Sequence, residues 1–166
     1  MTSTLKVTEI QDPTNSNTAL SIDSSGNVVL TQNKIAFEAK TTANITGYDG
    51  VSSPTNQVVF NDEKYDLGGN FDPTTGLFTA PVDGIYTFFS GVYASANILQ
   101  LWPLVNDVRV PTFFVQPSGA TASGSFIYKL NANDTVGIKV YTNTGSVTIY
   151  TNSVHTFFAG CLTLPL

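Results

Sequence analysis

Turn-forming residues interrupt this chain about every ten residues, and that spacing is the strongest restriction on its fold. Clusters of Asn, Asp, Gly, Pro and Ser separate short runs that are rich in Val, Ile, Thr, Tyr and Phe. Regularly spaced short runs of β-branched and aromatic residues are typical of the strands of a sandwich or a barrel. We therefore predict an all-β chain. The strand candidates are residues 57–60, 84–93, 98–104, 125–130, 135–141, 146–150 and 156–164.

The surface of this chain must be weakly charged. Only 11% of its residues are Asp, Glu, Lys or Arg, and their formal net charge is −5, whereas an average soluble protein has roughly 25% charged residues. A weakly charged surface loses its water at modest cost when it meets another surface. The composition therefore favours a subunit that packs against neighbours. Because no basic cluster is present, we do not expect a nucleic-acid partner.

No segment of the chain resembles a membrane anchor or a secretion signal. The first residues carry no apolar run, and no stretch approaches the ~20 apolar residues of a membrane helix. We therefore expect a protein that is made in the cytoplasm of its host and does not insert into a membrane. The single cysteine, Cys161, excludes a disulfide within the chain and a multi-cysteine zinc site.

The first 33 residues differ from the rest of the chain. They contain only brief apolar stretches between turn clusters, too few to build a core of their own. We predict that residues 1–33 form an extended amino-terminal attachment arm, which becomes ordered against other molecules, and that residues 34–166 form a head. The apolar residues available for attachment are Leu5, Val7, Ile10, Leu20, Ile22, Val28 and Leu30.

The head contains four motifs in a characteristic order. The longest covers residues 71–88 and reads FDPTTGLFTAPVDGIYTF, and the others are residues 35–39, 123–136 and 158–162. Through these motifs the chain resembles the globular head of the complement 1q family, which shares its fold with tumour necrosis factor. The resemblance implies a ten-strand jelly-roll sandwich. The chain departs from the family pattern at Asp66, Asn133 and Cys161, and these departures weaken any transfer of ligand sites.

The aromatic residues of the motifs are candidates for the core and for a subunit interface. Turns at Asp72-Pro73 and Gly76 allow inward-facing side chains on successive strands. The predicted core residues are Phe60, Phe71, Phe78, Tyr86 and Phe158. The resemblance further implies a homotrimer around a threefold axis. Candidates for lining the axis are Phe88, Tyr128, Tyr150, Phe157 and Leu162, with a plain core position as the alternative for each.

Catalytic chemistry has little support in the sequence. His155 is the only histidine and has no nucleophile motif beside it, so we predict no catalytic residues and no enzyme. The carboxylates that could hydrolyse glycosides have the positions of turn formers. They are Asp62, Glu63, Asp66, Asp72 and Asp83.

Ligand binding is less restricted than catalysis. We expect no cofactor, although the resemblance leaves room for calcium at loop carboxylates such as Asp49 and Asp134. Tyr93, Trp102 and Tyr141 could stack on sugars, pack against a neighbouring protein, or lie in the core.

A sequence motif in the arm suggests the kind of particle to which such a head is attached. Residues 19–28 read ALSIDSSGNV, which resembles a sequence motif common in tail-fibre and other virion proteins of bacteriophages. A plain strand, turn and strand is the alternative. We predict a homotrimeric structural virion protein, a capsid decoration, cement or head-fibre protein on the virion surface whose arm binds the major capsid protein. The alternatives are a tail-fibre or spike tip that binds host surface glycans and a secreted complement-like binding protein. The missing Gly-X-Y repeat argues against the last of these.

Overall fold

The computed structural model describes residues 8–11, 18–30, 34–49, 57–95, 98–110, 120–142, 146–151 and 155–166. Within these residues the chain contains strands and turns but no helix, so no described helix could cross a membrane. The chain divides into two compact units, Met1–Lys34 and Ile35–Leu166.

The first unit contains a small antiparallel sheet in the order β1-β2-β3. Its strands are β1 (Glu9–Gln11), β2 (Thr18–Ile22) and β3 (Val28–Leu30). The Asp23 carboxylate accepts hydrogen bonds from the backbone N–H groups of Ser25 and Asn27, at 2.9 and 2.8 Å, and closes the turn between β2 and β3. A hydrogen bond from the Asn27 side chain is the main reason that the pKa of Asp23 is lowered.

Several of the predicted attachment residues are exposed in this first unit. Ile10, Ile22 and Val28 are exposed and Leu20 is half-buried. Leu5 and Val7, together with the side chain of Leu30, lie outside the described residues.

The second unit is a sandwich of two five-stranded sheets. Sheet I has the order β12-β9-β15-β4-β6 and sheet II the order β11-β10-β13-β8-β7, while β14 and β5 form a separate two-stranded ladder. The crossovers between non-consecutive strands give a jelly roll, which confirms the predicted all-β jelly-roll class. The strands are β4 (Ala36–Lys40), β5 (Ile45–Tyr48), β6 (Asp62–Leu67), β7 (Phe71–Asp72), β8 (Leu77–Thr79), β9 (Gly84–Tyr93), β10 (Ile98–Val105), β11 (Val108–Arg109), β12 (Thr121–Leu130), β13 (Thr135–Thr142), β14 (Val147–Ile149) and β15 (Phe157–Pro165).

A cluster of phenylalanine rings joins the two sheets. Phe37 of sheet I stacks on Phe71 and Phe78 of sheet II, with ring centroids 4.8 and 5.1 Å apart. Phe158 meets Phe37 edge-on at 4.9 Å. All the residues predicted for the core, Phe60, Phe71, Phe78, Tyr86 and Phe158, are buried. Phe37 lies at the centre of the cluster and was not among the residues predicted for the core.

The β7–β8 turn is fixed by its own side chains. The Asp72 carboxylate accepts hydrogen bonds from the N–H and hydroxyl of Thr74, at 2.8 and 2.7 Å, and these bonds lower the pKa of Asp72. Gly76 has a φ of 75°, and a Cβ there would lie 2.8 Å from the carbonyl oxygen of Val58. Only glycine suits this position. The turn thereby places Phe71 opposite Phe78.

A tyrosine hydroxyl covers part of the edge of β13. Strand β13 pairs with β8 only at residues 135 and 136. Further along this strand, the hydroxyl of Tyr48 accepts a hydrogen bond from the N–H of Val140 at 3.1 Å and lies 3.4 Å from its carbonyl oxygen. Tyr48 is buried, and desolvation raises the pKa of its hydroxyl far above the usual value. The side chain therefore substitutes for a neighbouring strand at this point.

We expect Phe158→Ala to lower the free energy of unfolding by about 3–5 kcal/mol, because the lost ring leaves a cavity between the two sheets. Chemical denaturation followed by circular dichroism measures the loss. Val108→Ala is the control, since Val108 is 68% exposed and its truncation should change stability by less than about 0.5 kcal/mol. Equal losses in the two variants would contradict the assignment of Phe158 to the core.

We expect Tyr48→Phe to lower the free energy of unfolding by about 1–3 kcal/mol, because the Val140 N–H is left buried without this acceptor. Tyr65→Phe is the matched control, since Tyr65 is exposed and its hydroxyl can bond to water. Hydrogen exchange at the Val140 amide should accelerate only in the Tyr48 variant. Unchanged exchange there would show that the hydroxyl does not protect the edge of β13.

Candidate self-association surface

The side of sheet I that points away from the core is the most conspicuous surface of the second unit. Side chains alternate between the two faces of each strand, so every second residue of β9, β12 and β15 lies on this outer face. Cα pairing aligns Ser125, Phe89 and Ala159 in one row and Ile127, Thr87 and Cys161 in the next. We call this surface the outer face of sheet I. Its residues on β9, β12 and β15 are Ile85, Thr87, Phe89, Gly91, Tyr93, Thr121, Ser123, Ser125, Ile127, Lys129, Phe157, Ala159, Cys161, Thr163 and, after a register shift in β15, Leu164.

The centre of this face is apolar and uncovered in the single chain. Phe89, on the second strand from the edge of the sheet, is 45% exposed, and Ile127 on β12 is 68% exposed. The hydroxyl oxygens of Thr87 and Thr163 are 2.7 Å apart and form a hydrogen bond with each other. Lys129 is the charged residue on these three strands' outer positions. A large apolar area with so little charge is characteristic of the centre of a protein interface.

Charged residues follow at the β4–β6 edge of the same face. Lys40 and Glu38 form an ion pair with 3.3 Å between the ammonium and carboxylate, and Lys64 pairs with Asp62. Tyr65 lies opposite Glu38 and is 45% exposed. The outer face therefore changes from apolar at β12, β9 and β15 to charged and aromatic at β4 and β6.

Aromatic rings occupy one end of the outer face. The rings of Tyr93 and Tyr150 are 5.0 Å apart, and His155 meets Tyr93 edge-on at 6.4 Å. The Phe157 ring covers Gly91, where an added Cβ would lie 2.8 Å from it. The missing side chain at Gly91 thus makes room for the Phe157 ring.

The five residues considered for the trimer axis lie in different places: one is in the core, two are partly buried against the core, and two are on or beside the outer face of sheet I. Phe88 is completely buried in the core, where it stacks on Phe126 at 5.0 Å. Tyr128 and Leu162 also pack against the core and are only partly buried. Phe157 lies on the outer face, and Tyr150 contacts Tyr93 at its end.

Phe88 takes the core position that the sequence left open as the alternative to the axis, and strand geometry explains why the sequence did not decide between them. Phe88 and Phe89 are adjacent in a strand, and a shift of one residue moves a side chain to the opposite face. The pair of phenylalanines gives no indication of which ring points inward. Phe89 and Ile127 were therefore not identified from the sequence as surface residues.

Several of the carboxylates considered for catalysis make hydrogen bonds in the turns of the second unit. His155 is exposed, and no described group of three or more His, Cys, Asp or Glu residues could hold a metal ion. The carboxylate of Asp66 accepts a hydrogen bond from the Phe71 N–H, and that of Asp83 accepts one from the Ala132 N–H. These two carboxylates therefore stabilise turns by accepting hydrogen bonds from backbone N–H groups.

Asp134, which was considered as a calcium ligand, also holds a turn. Its carboxylate accepts hydrogen bonds from the Asn106 side chain and from the Asn131 N–H, both at 2.8 Å. These bonds, with that from Asn106 the larger, lower the pKa of Asp134.

Comparison with known proteins gives relatives for the second unit. The family model described as "C1q domain" matches residues 36–163. The chain is 29% identical to the collagen alpha-1(X) chain of Mus musculus over 125 residues, which are 72% of this chain and 18% of that protein. It is 27% identical to protein HP-25 homolog 1 of Bos taurus over 88 residues, which are 52% of this chain and 42% of that protein. The chain thus spans less than half of either relative.

Solved structures share the same sandwich. The globular domain of zebrafish complement 1qA aligns with a TM-score of 0.57 and 22% identity, covering 80% of this chain and 100% of that one. Murine APRIL aligns with a TM-score of 0.54 and 14% identity, covering 80% and 98% of the two chains. These similarities concern the fold. Because the family match extends through nearly the whole second unit, from residue 36 to residue 163, the chain belongs to the C1q domain family.

Proposed function

We propose that this chain is the head subunit of a non-enzymatic, homotrimeric binding or structural protein of the C1q type, and that the outer face of sheet I joins its three copies. The C1q and tumour necrosis factor families consist of non-enzymatic binding and structural proteins. The observation that carries the proposal is the uncovered apolar centre of this face around Phe89 and Ile127.

The chemistry of the outer face suits a closed ring of subunits. A ring of identical chains forms when one patch of each subunit meets a different patch of the next. The outer face offers two such patches, an apolar one around Phe89 and Ile127 and an aromatic, charged one around Tyr65 and Glu38. The resemblance to the C1q heads favours three subunits.

Burial of the apolar patch supplies a driving force of useful size. Fully covering a phenylalanine or isoleucine side chain contributes roughly 1.5–3 kcal/mol, and Phe89 and Ile127 are each only partly covered in the single chain. In a ring of three, every subunit contributes both residues. On the apolar patch itself few charges must be desolvated, because Lys129 is the charged residue at the outer positions of β9, β12 and β15.

We expect the purified protein to have three times its 17.7 kDa chain mass in light scattering, and Phe89→Asp combined with Ile127→Asp to be monomeric. The introduced carboxylates would have to be buried without partners in the assembly, which is costly. Val108→Asp is the control, because Val108 is 68% exposed on sheet II and its substitution should leave the trimer intact.

Cys161 provides an independent measurement on the same samples. It is a free thiol on the outer face, one row from Phe89. We expect a maleimide reagent to label it slowly in the trimer and at least about tenfold faster in the monomeric variant. A monomeric wild-type protein, or equal labelling rates in trimer and monomer, would contradict the proposed interface.

A sequence motif in the first unit, residues 19–28, suggests a second candidate function, that of a bacteriophage virion protein. We propose for this candidate that the unit attaches the head to a capsid protein at the virion surface. Its β2–turn–β3 hairpin contains the virion-like sequence motif and exposes Ile22 and Val28, and Ile10 on β1 is exposed as well. The relatives named above come from animals and give this candidate no support.

Attachment through the first unit is tested by deletion of residues 1–34. We expect the full-length protein to co-sediment with virus particles from its source, and the deleted protein to lose this association while it keeps its trimeric mass. Full-length Val108→Asp is the control and should still co-sediment. Absence of the chain from purified particles, judged by mass spectrometry, would eliminate this candidate and leave the C1q-type head unaffected.

A further inference from the structure

The three-stranded sheet of the first unit has one apolar face. Side chains that are paired across neighbouring strands, or that lie two residues apart on one strand, share a face of the sheet. Ile10 on β1 is the Cα partner of Leu20 on β2, and Ile22, two residues further on, is the partner of Val28 on β3. These four side chains therefore lie on one side of the sheet. We call this side the apolar face of the first unit.

The opposite face of the same sheet is polar. Glu9 is the Cα partner of Ser21, and the Gln11 side chain donates a hydrogen bond to the Glu9 carboxylate at 2.7 Å. Asp23 and Asn27, each adjacent in sequence to a member of the apolar face, are joined by a side-chain hydrogen bond of 3.0 Å. The two faces thus differ in chemistry, and the polar face is the one that is suited to water.

The apolar face is uncovered in the single chain. Ile10 is 50% exposed, Ile22 41% and Val28 62%, and Leu20 is half-buried. Glu9, the charged residue on the three strands, belongs to the polar face. An exposed apolar patch with a polar surround is characteristic of a surface that contacts another protein.

A sheet of this size needs a cover for its apolar face. Its strands have 3, 5 and 3 residues, and a small sheet becomes stable in water when a hydrophobic face is packed. Covering Ile10, Ile22 and Val28 would remove apolar surface from water, which is the main favourable contribution to association. A partner that covers this face would therefore stabilise the sheet itself.

Other copies of the same chain are the partners that fit this face best. An uncharged face can meet an identical face, whereas identical charged faces would bring like charges together. The first unit is joined to the head at residues 34 and 35, so a trimer of heads holds three first units on short connections. Groups that are connected in this way have an effective concentration of about 1 mM. A contact among them can therefore form even where separate units would not associate.

We propose that the apolar faces of three first units pack against one another and form a second contact within the trimer, one that rests on the trimeric head proposed above. Ile10, Ile22 and Val28 of each copy lie in the shared apolar centre, and the polar faces point to water. In the second candidate function, a capsid protein would then contact the polar face or the strand edges.

Paired cysteine variants of the full-length chain test which face meets another copy. Cys161→Ala removes the only native thiol, and Ile22→Cys or Val28→Cys then places one thiol on the apolar face. Ser21→Cys is the matched control, because Ser21 is adjacent to Ile22 on β2 and faces the other way. A short bismaleimide should join Ile22→Cys and Val28→Cys chains into pairs with at least about tenfold higher yield than Ser21→Cys chains, as measured on denaturing gels.

Cross-linking within one trimer has two further signatures. The yield of paired chains from Ile22→Cys should not depend on protein concentration, because the reacting thiols belong to one assembly. Adding Phe89→Asp and Ile127→Asp, which remove the contact between heads, should lower that yield at least about tenfold at micromolar protein, since the first units lose their shared connection.

Several results would overturn the proposal. They are equal yields from Ile22→Cys and Ser21→Cys in a protein of threefold mass, no paired chains from either apolar-face variant, and a yield that rises with protein concentration. Cross-linking of Ile22→Cys to a capsid protein in purified particles, in place of its own chain, would assign the face to that partner instead. A monomeric wild type in light scattering overturns both trimer contacts, whereas a threefold mass without paired chains overturns this one alone.

Discussion

The packing of Phe37 between the two sheets is the interaction on which the rest of the second unit depends. Phe37 of sheet I stacks on two rings of sheet II and meets Phe158 of its own sheet edge-on. Aromatic side chains contribute large buried areas, and edge and offset contacts add to that burial. A chain with so few charged residues has few ion pairs to orient its strands, and in the described residues the aromatic core performs that task.

The inward aromatic residues also decide what the two outer surfaces present. Phe88 and Phe158 point into the core, so their neighbours Phe89 and Phe157 must point away from it. On sheet II, Leu101 and Val140 point inward, and Trp102 and Tyr141 point outward for the same reason. The sandwich thereby carries an apolar surface on one sheet and an aromatic surface, around Trp102 and Tyr141, on the other.

Local turn chemistry was accessible from the sequence, but the closure of strand edges was not. Asp72 and Gly76 form their turn with residues a few positions away, so the residue types alone indicate the reversal. Tyr48, by contrast, bonds to Val140 from far away in the chain. No local pattern distinguishes a tyrosine that covers a strand edge from one that simply lies in a core. The same limit applies to the stack of side chains around Trp102, whose members come from β10, β11 and β13.

The sequence by itself determined the all-β class, the turns, the jelly-roll resemblance and most of the aromatic core, because each depends on periodicity, residue type or the order of motifs. Tertiary structure decided which of two adjacent residues faces outward, as with Phe88 and Phe89, and which distant side chains meet, as with Trp102 and Arg109. Both depend on strand register. Register is set by the packing of the whole sandwich, and a change of one residue exchanges the buried and exposed faces of a strand.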